Sequence, residues 1–134
     1  IVILMFIGLL VFSFQSRFGR NILEGPDLAI DHRAVSVLRG AITHVRDGDT
    51  FEVNGIPVRI SALDCAENST AEGKKITRFA KQFKGKETIC ELTGAKTYDR
   101  VVGYCSINGI DFGKMMMDET SCKLWAKYDI WNKY

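Results

Sequence analysis

The chain has 134 residues, which is enough for one domain with a single modest core. Hydrophobic residues make up 46% and charged residues 25%, a globular composition that excludes a disordered tail. The formal net charge of +2 is too small to indicate a nucleic-acid partner by itself. The cations are unevenly distributed, however, and six of them crowd one segment: Lys74, Lys75, Arg78, Lys81, Lys84 and Lys86. Such a run is either a solvated helix face or a surface for a polyanion.

Residues 1–14 form one apolar block without a charged side chain. The block is shorter than the roughly 20 residues that span a bilayer, and its length is typical of the apolar part of a signal peptide. A signal peptide, cleaved or not, and a membrane anchor are the main interpretations, and a buried helix is the third. Either of the first two places the domain outside the cytosol: secreted, periplasmic or membrane-anchored. Residues 15–33 are predicted to be a linker and residues 34–134 a single folded domain.

Short segments rich in β-branched residues predict strands at 34–38, 40–45, 50–53 and 57–63. Asp47-Gly48-Asp49 is a turn signal before the third of these segments. Asn54-Gly55 predicts a two-residue hairpin with positive φ at both positions.

A helix follows, capped by Ser69 or Thr70 and ended by Gly85. Apolar residues recur along it at helical spacing: Ile76, Phe79, Ala80 and Phe83. Strands are then predicted at 88–92 and 100–107, with a loop at 93–99. After the Asn108-Gly109 turn, a second helix is predicted to carry Ile110, Phe112, Met115, Met116 and Leu124. These elements predict an α+β fold that is mainly β: a five-stranded barrel of the OB-fold type with two to three flanking helices.

The four cysteines contain no Cys-x-x-Cys pair, so a zinc site is not indicated. In an exported domain an even count predicts two disulfides, and the alternative is free buried thiols. Cys90 and Cys105 lie opposite each other across the predicted 88–92 and 100–107 pair, which favours a bond between them. That pairing leaves Cys65 to bond with Cys122.

Three short motifs concentrate acidic residues and arginines: 46–50, 59–67 and 98–100. Carboxylate oxygens are ligands for a hard divalent cation, and the planar guanidinium group of arginine matches the charged oxygens of a phosphate. The three motifs together therefore predict metal-assisted cleavage of a phosphate ester. The residues concerned are Asp47, Asp49, Asp64 and Glu67 with Arg59 and Arg100.

The same motifs, followed by 110–117, occur in the order seen in staphylococcal-nuclease-like (thermonuclease) domains, and roughly residues 38–128 resemble that family. The resemblance implies that Asp49 and Asp64 are carboxylate ligands of a calcium ion. Cys65 stands where the family usually has a threonine whose backbone carbonyl also binds the metal. Asp47 matches an acid that orients the site.

The resemblance also implies roles in catalysis and substrate binding. Glu67 matches the residue that positions or deprotonates the attacking water, and Arg59 and Arg100 match the two arginines that bind the scissile phosphate. Substrate contacts are expected from Tyr98, Lys127 and Tyr128.

The resemblance implies a calcium-dependent phosphodiesterase that hydrolyses DNA and RNA and leaves a 3′-phosphate and a 5′-hydroxyl. We expect a monomer, with membrane attachment through residues 1–14 if that block is an anchor. Two alternatives belong to other classes: a catalytically silent OB-type nucleic-acid-binding module, and an anchored scaffold for a protein partner.

Overall fold

The structure is a computed structural model that describes residues 29–134, so the apolar block at 1–14 lies outside the described residues. The described part contains eight strands, two α-helices and a short 3₁₀ helix. In chain order these are β1 (Ser36–Asp47), β2 (Thr50–Val53), β3 (Ile56–Ile60), β4 (Leu63–Asp64), α1 (Ala71–Lys81), β5 (Glu87–Thr97), β6 (Arg100–Ile107), β7 (Ile110–Asp111), α2 (Phe112–Glu119), β8 (Lys123–Leu124) and the 3₁₀ helix Ala126–Tyr128.

Five strands form a closed ring. The main sheet has the order β3-β2-β1-β5-β6-β7, and β3 also pairs in parallel with β6, with Val58 opposite Val101. β7 therefore lies outside the ring, beside β6, while β4 and β8 form a separate two-stranded sheet. The prediction of an α+β fold that is mainly β is confirmed.

β1 is one continuous strand, so the predicted break between 34–38 and 40–45 is wrong. Its first half, Ser36 to Ala41, pairs with β5, and its second half, from Ile42, pairs with β2. Gly40 lies close to the point where pairing with β5 ends and pairing with β2 begins. The glycine that reads as a break in the sequence is therefore inside the strand.

β5 is longer than predicted, and the expected loop at 93–99 is wrong. The strand continues to Thr97, with a register shift between Leu92 and Lys96 and a positive φ of 89° at Gly94. The turn is limited to Tyr98 and Asp99, and Tyr98 has a φ of 56°. The bulge at 93–95 interrupts the register, and pairing with β6 resumes at Lys96.

α1 begins as predicted, because the hydroxyl oxygen of Thr70 accepts a hydrogen bond from the amide of Gly73 at 3.0 Å. Ile76 and Ala80 are buried on the predicted apolar face. The helix ends at Lys81 instead of Gly85, since the amides of residues 82–84 bond three residues back rather than four.

α2 begins at Phe112, after Asp111 caps it by accepting from the amide of Lys114 at 2.8 Å. Two residues assigned to this helix lie outside it. Ile110 is in β7, paired with Ile107, and Leu124 is in β8, and their exposed fractions are 58% and 42%. The Asn108-Gly109 turn forms a short hairpin before the helix begins, so Ile110 belongs to a strand and not to the first turn of the helix.

The end of the segment predicted as a linker contacts the domain. The amide of Asp31 donates to the side chain of Glu91 at 2.5 Å, and Arg33 donates to the carbonyl of Trp131 at 2.8 Å. Within residues 29–134, no helix is long and apolar enough to span a bilayer.

Candidate active site

The turn between β1 and β2 carries the first two acidic residues. The amide of Asp49 donates to the carboxylate of Asp47 at 3.1 Å, which closes the turn on itself. The carbonyl of Asp49 accepts from the amide of Ile60 at 2.8 Å, so the turn is also fixed to the end of β3. Asp49 is thereby held by the barrel rather than by a mobile loop.

Asp49 has a carboxylate that is only 13% exposed and has little compensation for its charge. Its Oδ2 lies 3.4 Å from Arg59 Nη2, and its Oδ1 accepts from the hydroxyl of Thr50 at 3.1 Å. Burial raises the pKa of Asp49 to about 7; nearby Asp47 adds to the rise, while Arg59 and Thr50 oppose it. The positive charge already present is therefore not enough to stabilise the ionised carboxylate.

The two arginines approach Asp49 from different strands. Arg59, on β3, donates to the carbonyl of Ile60 at 2.6 Å in addition to its contact with Asp49. Arg100, at the start of β6, donates to the hydroxyl of Thr50 at 3.0 Å and to the carbonyl of Thr97 at 3.3 Å. Thr50 thus accepts from Arg100 and donates to Asp49.

Thr50 is a site residue that sequence reasoning missed. It is 1% exposed, and its hydroxyl is the link between a carboxylate and a guanidinium group on different strands. The sequence signal that could have identified Thr50 is its position: a hydroxyl residue that begins a strand directly after the acidic turn.

The third acidic residue ends β4, and the predicted base lies on the segment between β4 and α1. Asp64 and Glu67 are exposed, and Cys65 between them is 9% exposed. The carbonyl of Glu67 accepts from the amide and the hydroxyl of Thr70, at 2.9 Å and 2.7 Å. Gly73 also packs so closely that a side-chain carbon there would overlap the Glu67 carbonyl. The backbone of Glu67 is therefore fixed by the first turn of α1.

The turn that carries Tyr98 is tied to β1 by a surface ion pair. Arg46 contacts Asp99 at 2.8 Å and also Glu52 on β2 at 3.1 Å. The ring of Tyr98 is 94% exposed and lies 5.7 Å from the guanidinium carbon of Arg100. An aromatic face is thus available to solvent directly beside that arginine.

One cavity of about 580 Å³ brings most of the predicted site residues together. Its walls include Asp47, Asp49, Arg59, Asp64, Cys65, Glu67, Tyr98, Arg100 and Tyr128. Lys127 is not among its wall residues, and its ammonium group lies 5.4 Å from the ring of Tyr128. Trp125 and Lys96 line the cavity and were missed, although the spacing Trp125-x-x-Tyr128 is one helical turn.

The donors predicted for calcium are all oxygen atoms, as a hard cation requires. Among residues 29–134 there is no group of three or more His, Cys, Asp or Glu side chains placed to hold a metal ion. The predicted set contains only two carboxylates, Asp49 and Asp64, with the carbonyl of Cys65. This set fits a hard cation because all its donors are oxygen atoms and because a single guanidinium contact, at 3.4 Å, balances the carboxylate of Asp49.

Both predicted disulfides are confirmed. Cys90 is in register with Cys105 on the adjacent strands β5 and β6 and is bonded to it, and Cys65 is bonded to Cys122. The described part of the chain has no free cysteine. Two disulfides indicate an oxidising environment of the kind found outside the cytosol.

The cations of the basic segment are all exposed, on or just after α1. None of the six forms an ion pair with another residue in the range 29–134. Their charge is thus available to an external anion. The helix that carries four of them begins four residues after Glu67.

No protein-family model and no curated protein matches the chain.

Proposed function

We propose that the chain is a calcium-dependent phosphodiesterase that hydrolyses DNA and RNA, with a staphylococcal-nuclease-like fold built on a barrel of the OB type. The observation that carries this proposal is the cavity in which two arginines, an under-compensated aspartate and an exposed glutamate converge. Hydrolysis of a phosphodiester needs groups of these kinds: a cation site, donors for phosphate oxygens and a base for water.

Asp49, Asp64 and the carbonyl of Cys65 would hold the calcium ion. Calcium, when bound, supplies Lewis-acid stabilisation of the charge that builds up on the phosphate. Asp47 keeps the Asp49 backbone in place through its hydrogen bond at 3.1 Å. A cation beside Asp49 would also favour its ionised form, which burial now disfavours.

Arg59 and Arg100 would bind the scissile phosphate. A guanidinium group has five N–H donors, and the bonds to Ile60, Thr50 and Thr97 use only some of them. The remaining donors can bind non-bridging phosphate oxygens, whose charge grows in the transition state. The bonds that are already present fix both side chains before substrate arrives, which lowers the cost of ordering them.

Glu67 would accept a proton from the attacking water. Its backbone is held by α1 while its carboxylate is exposed at the cavity, so the group is positioned but accessible. The products proposed are a 3′-phosphate and a 5′-hydroxyl.

The surroundings of the cavity fit a nucleic-acid strand. Tyr98, Trp125 and Tyr128 are partly or largely exposed and offer faces on which bases can stack. The unpaired cations on and after α1 would contribute attraction to further phosphates. We propose that the protein acts as a monomer outside the cytosol, secreted, periplasmic or attached to a membrane.

The test is digestion of single-stranded DNA and of RNA in calcium, with a chelator as control. Glu67→Gln should lower turnover by about 10²–10⁴-fold while binding of the strand changes little, because a general base acts in the transition state. Glu87→Gln is the matched control, since Glu87 is exposed and does not line the cavity.

Three results would change the proposal. Hydrolysis that survives chelation would remove the metal from the mechanism. Full activity of the Glu67 variant would remove that residue as the base. Binding of an oligonucleotide with no turnover in any divalent metal would favour the silent nucleic-acid-binding module.

A further inference from the structure

The segment from Asp64 to Glu72 has a single buried residue. It carries two predicted site residues, yet Cys65 is the one residue in it that is buried, and the others are exposed. β4, which Asp64 ends, is not part of the main sheet, and within residues 29–134 it pairs only with the two residues of β8. Asp49, in contrast, is held by the barrel through Ile60.

The Cys65–Cys122 disulfide touches both acidic loops. It is covalently next to Asp64, and it also packs under the Asp47-Gly48-Asp49 turn. A side-chain carbon at Gly48 would lie only 3.0 Å from the sulfur of Cys65 and would overlap Ile76. The sulfur therefore packs beneath the turn together with Ile76, and Cys122 ties it to the segment between α2 and β8.

The second disulfide has a different position. Cys90 and Cys105 face each other on the adjacent strands β5 and β6. These strands are already paired on both sides of the two cysteines, so the disulfide joins segments that backbone hydrogen bonds hold together. Neither cysteine lines the cavity. This bond stabilises the barrel without contacting a site residue.

We infer that the Cys65–Cys122 disulfide is a positioning element of the proposed site, and that its formation raises the affinity of the site for calcium. The inference rests on the proposed function and adds its regulation. In the oxidation, the thiols of Cys65 and Cys122 each lose a hydrogen, and a disulfide-bonded oxidant is reduced to two thiols. The same chain in a reducing compartment would lose the covalent tie at Cys65, which adjoins Asp64 and packs beneath the turn that carries Asp49. The contacts with α1 would still hold the backbone of Glu67.

The experiment compares two variants of the full chain, Cys65→Ala/Cys122→Ala and Cys90→Ala/Cys105→Ala, each below its melting temperature. Calcium affinity is measured by calorimetry, and amide hydrogen exchange is followed in 64–70. Loss of the first disulfide should weaken calcium binding by about 10–100-fold, the range for groups that orient metal ligands, and speed exchange in 64–70. Loss of the second should change calcium affinity by less than about threefold, because its bond touches no ligand.

Equal calcium affinities for the two variants would overturn the inference. If the first variant does not fold, Cys65→Val/Cys122→Ala restores apolar volume at the site and is measured in its place. If the wild-type protein binds no calcium, the proposed function fails, and exchange in 64–70 then decides the positioning role by itself. Unchanged exchange there would remove that role as well.

Discussion

Two aspartates with little exposure, at different places in the domain, have opposite electrostatics. Asp129 accepts hydrogen bonds from the hydroxyl of Tyr104 at 2.7 Å and from the amides of Lys133 and Tyr134 at 3.0 Å and 2.8 Å. Burial opposes ionisation of Asp129, yet these donors hold its pKa below the usual value. Asp49 has one hydroxyl donor and one arginine at 3.4 Å, and its pKa is raised to about 7.

The difference shows how to separate a structural charge from a functional one. The hydrogen-bond donors of Asp129 belong to the protein itself. One of them, Tyr104, has its ring stacked on that of Trp131, with 4.9 Å between the ring centres. Asp49 is left short of positive charge at the wall of a cavity. A charge that folding buries without full compensation is costly, and it is retained where a ligand completes it.

The largest effect is expected from removing the charge of Asp49. Asp49→Asn should lower calcium-dependent hydrolysis by about 10³-fold and raise the calcium concentration needed, because the variant loses a ligand charge. Asp129→Asn should leave turnover per folded molecule near that of the wild type. Rates at saturating and limiting calcium, normalised to the folded fraction, measure both. Equal losses in the two variants would remove the contrast.

The pH dependence of stability without calcium should differ in sign for the two aspartates. The raised pKa of Asp49 means that the folded state binds its proton more tightly than the unfolded state. Its contribution to the free energy of unfolding is therefore fully present below about pH 4 and falls as pH rises to about 7, by about 2–4 kcal/mol. The lowered pKa of Asp129 gives the opposite sign, and its contribution is lost as pH falls below about 4.

Urea unfolding in chelator at pH 5 and pH 8 measures this dependence. Asp49→Asn should flatten the decrease in stability between these pH values and leave the variant more stable than the wild type at pH 8. A decrease of the same size in that variant would assign it to another group.

Two arginines, Arg100 at the cavity wall and Arg33 outside it, should also behave differently. Arg100→Lys should lower turnover by about 10²-fold, since an ammonium group cannot replace a guanidinium that bonds Thr50 and a phosphate together. Arg33 is the matched control. It donates to the carbonyl of Trp131 at 2.8 Å, and its guanidinium carbon lies 5.3 Å from the centre of the Trp131 ring. Arg33→Lys should keep the turnover number. A near-normal rate for Arg100→Lys would place the phosphate elsewhere.

The smallest effect concerns the donors of Asp129. Tyr104→Phe should lower the free energy of unfolding by about 1–3 kcal/mol, because a buried charged acceptor loses one partner. Tyr98→Phe should leave stability unchanged, as its side chain is 94% exposed. Denaturant midpoints at pH 7 give both values. No loss in the Tyr104 variant would show that the two backbone amides satisfy Asp129 by themselves.

Local features of the fold could be predicted from the sequence. Asn54 and Gly55 have φ values of 49° and 78°, as their hairpin turn requires. The Thr70 cap and the register of Cys90 with Cys105 were also predicted, because each depends on residues close in sequence or on one hairpin.

Features that depend on distant partners could not be predicted in this way. Whether β1 breaks at Gly40 depends on β5, which begins more than forty residues later. The role of Thr50 depends on Arg100 in another strand. The donors of Asp129 include Tyr104, and only folding brings that hydroxyl to the carboxylate. The motifs named the acids and arginines of the site but not the side chain that connects them.

The contact between Gly73 and the carbonyl of Glu67 has a consequence for how such a sequence can change over evolutionary time. Any side chain at Gly73 would overlap that carbonyl and displace the glutamate or the start of α1. If hydrolysis is selected for, substitution of Gly73 would therefore be selected against as strongly as substitution of a residue that takes part in the reaction. A glycine kept at this position in related sequences would reflect this packing distance and not a chemical role of the residue.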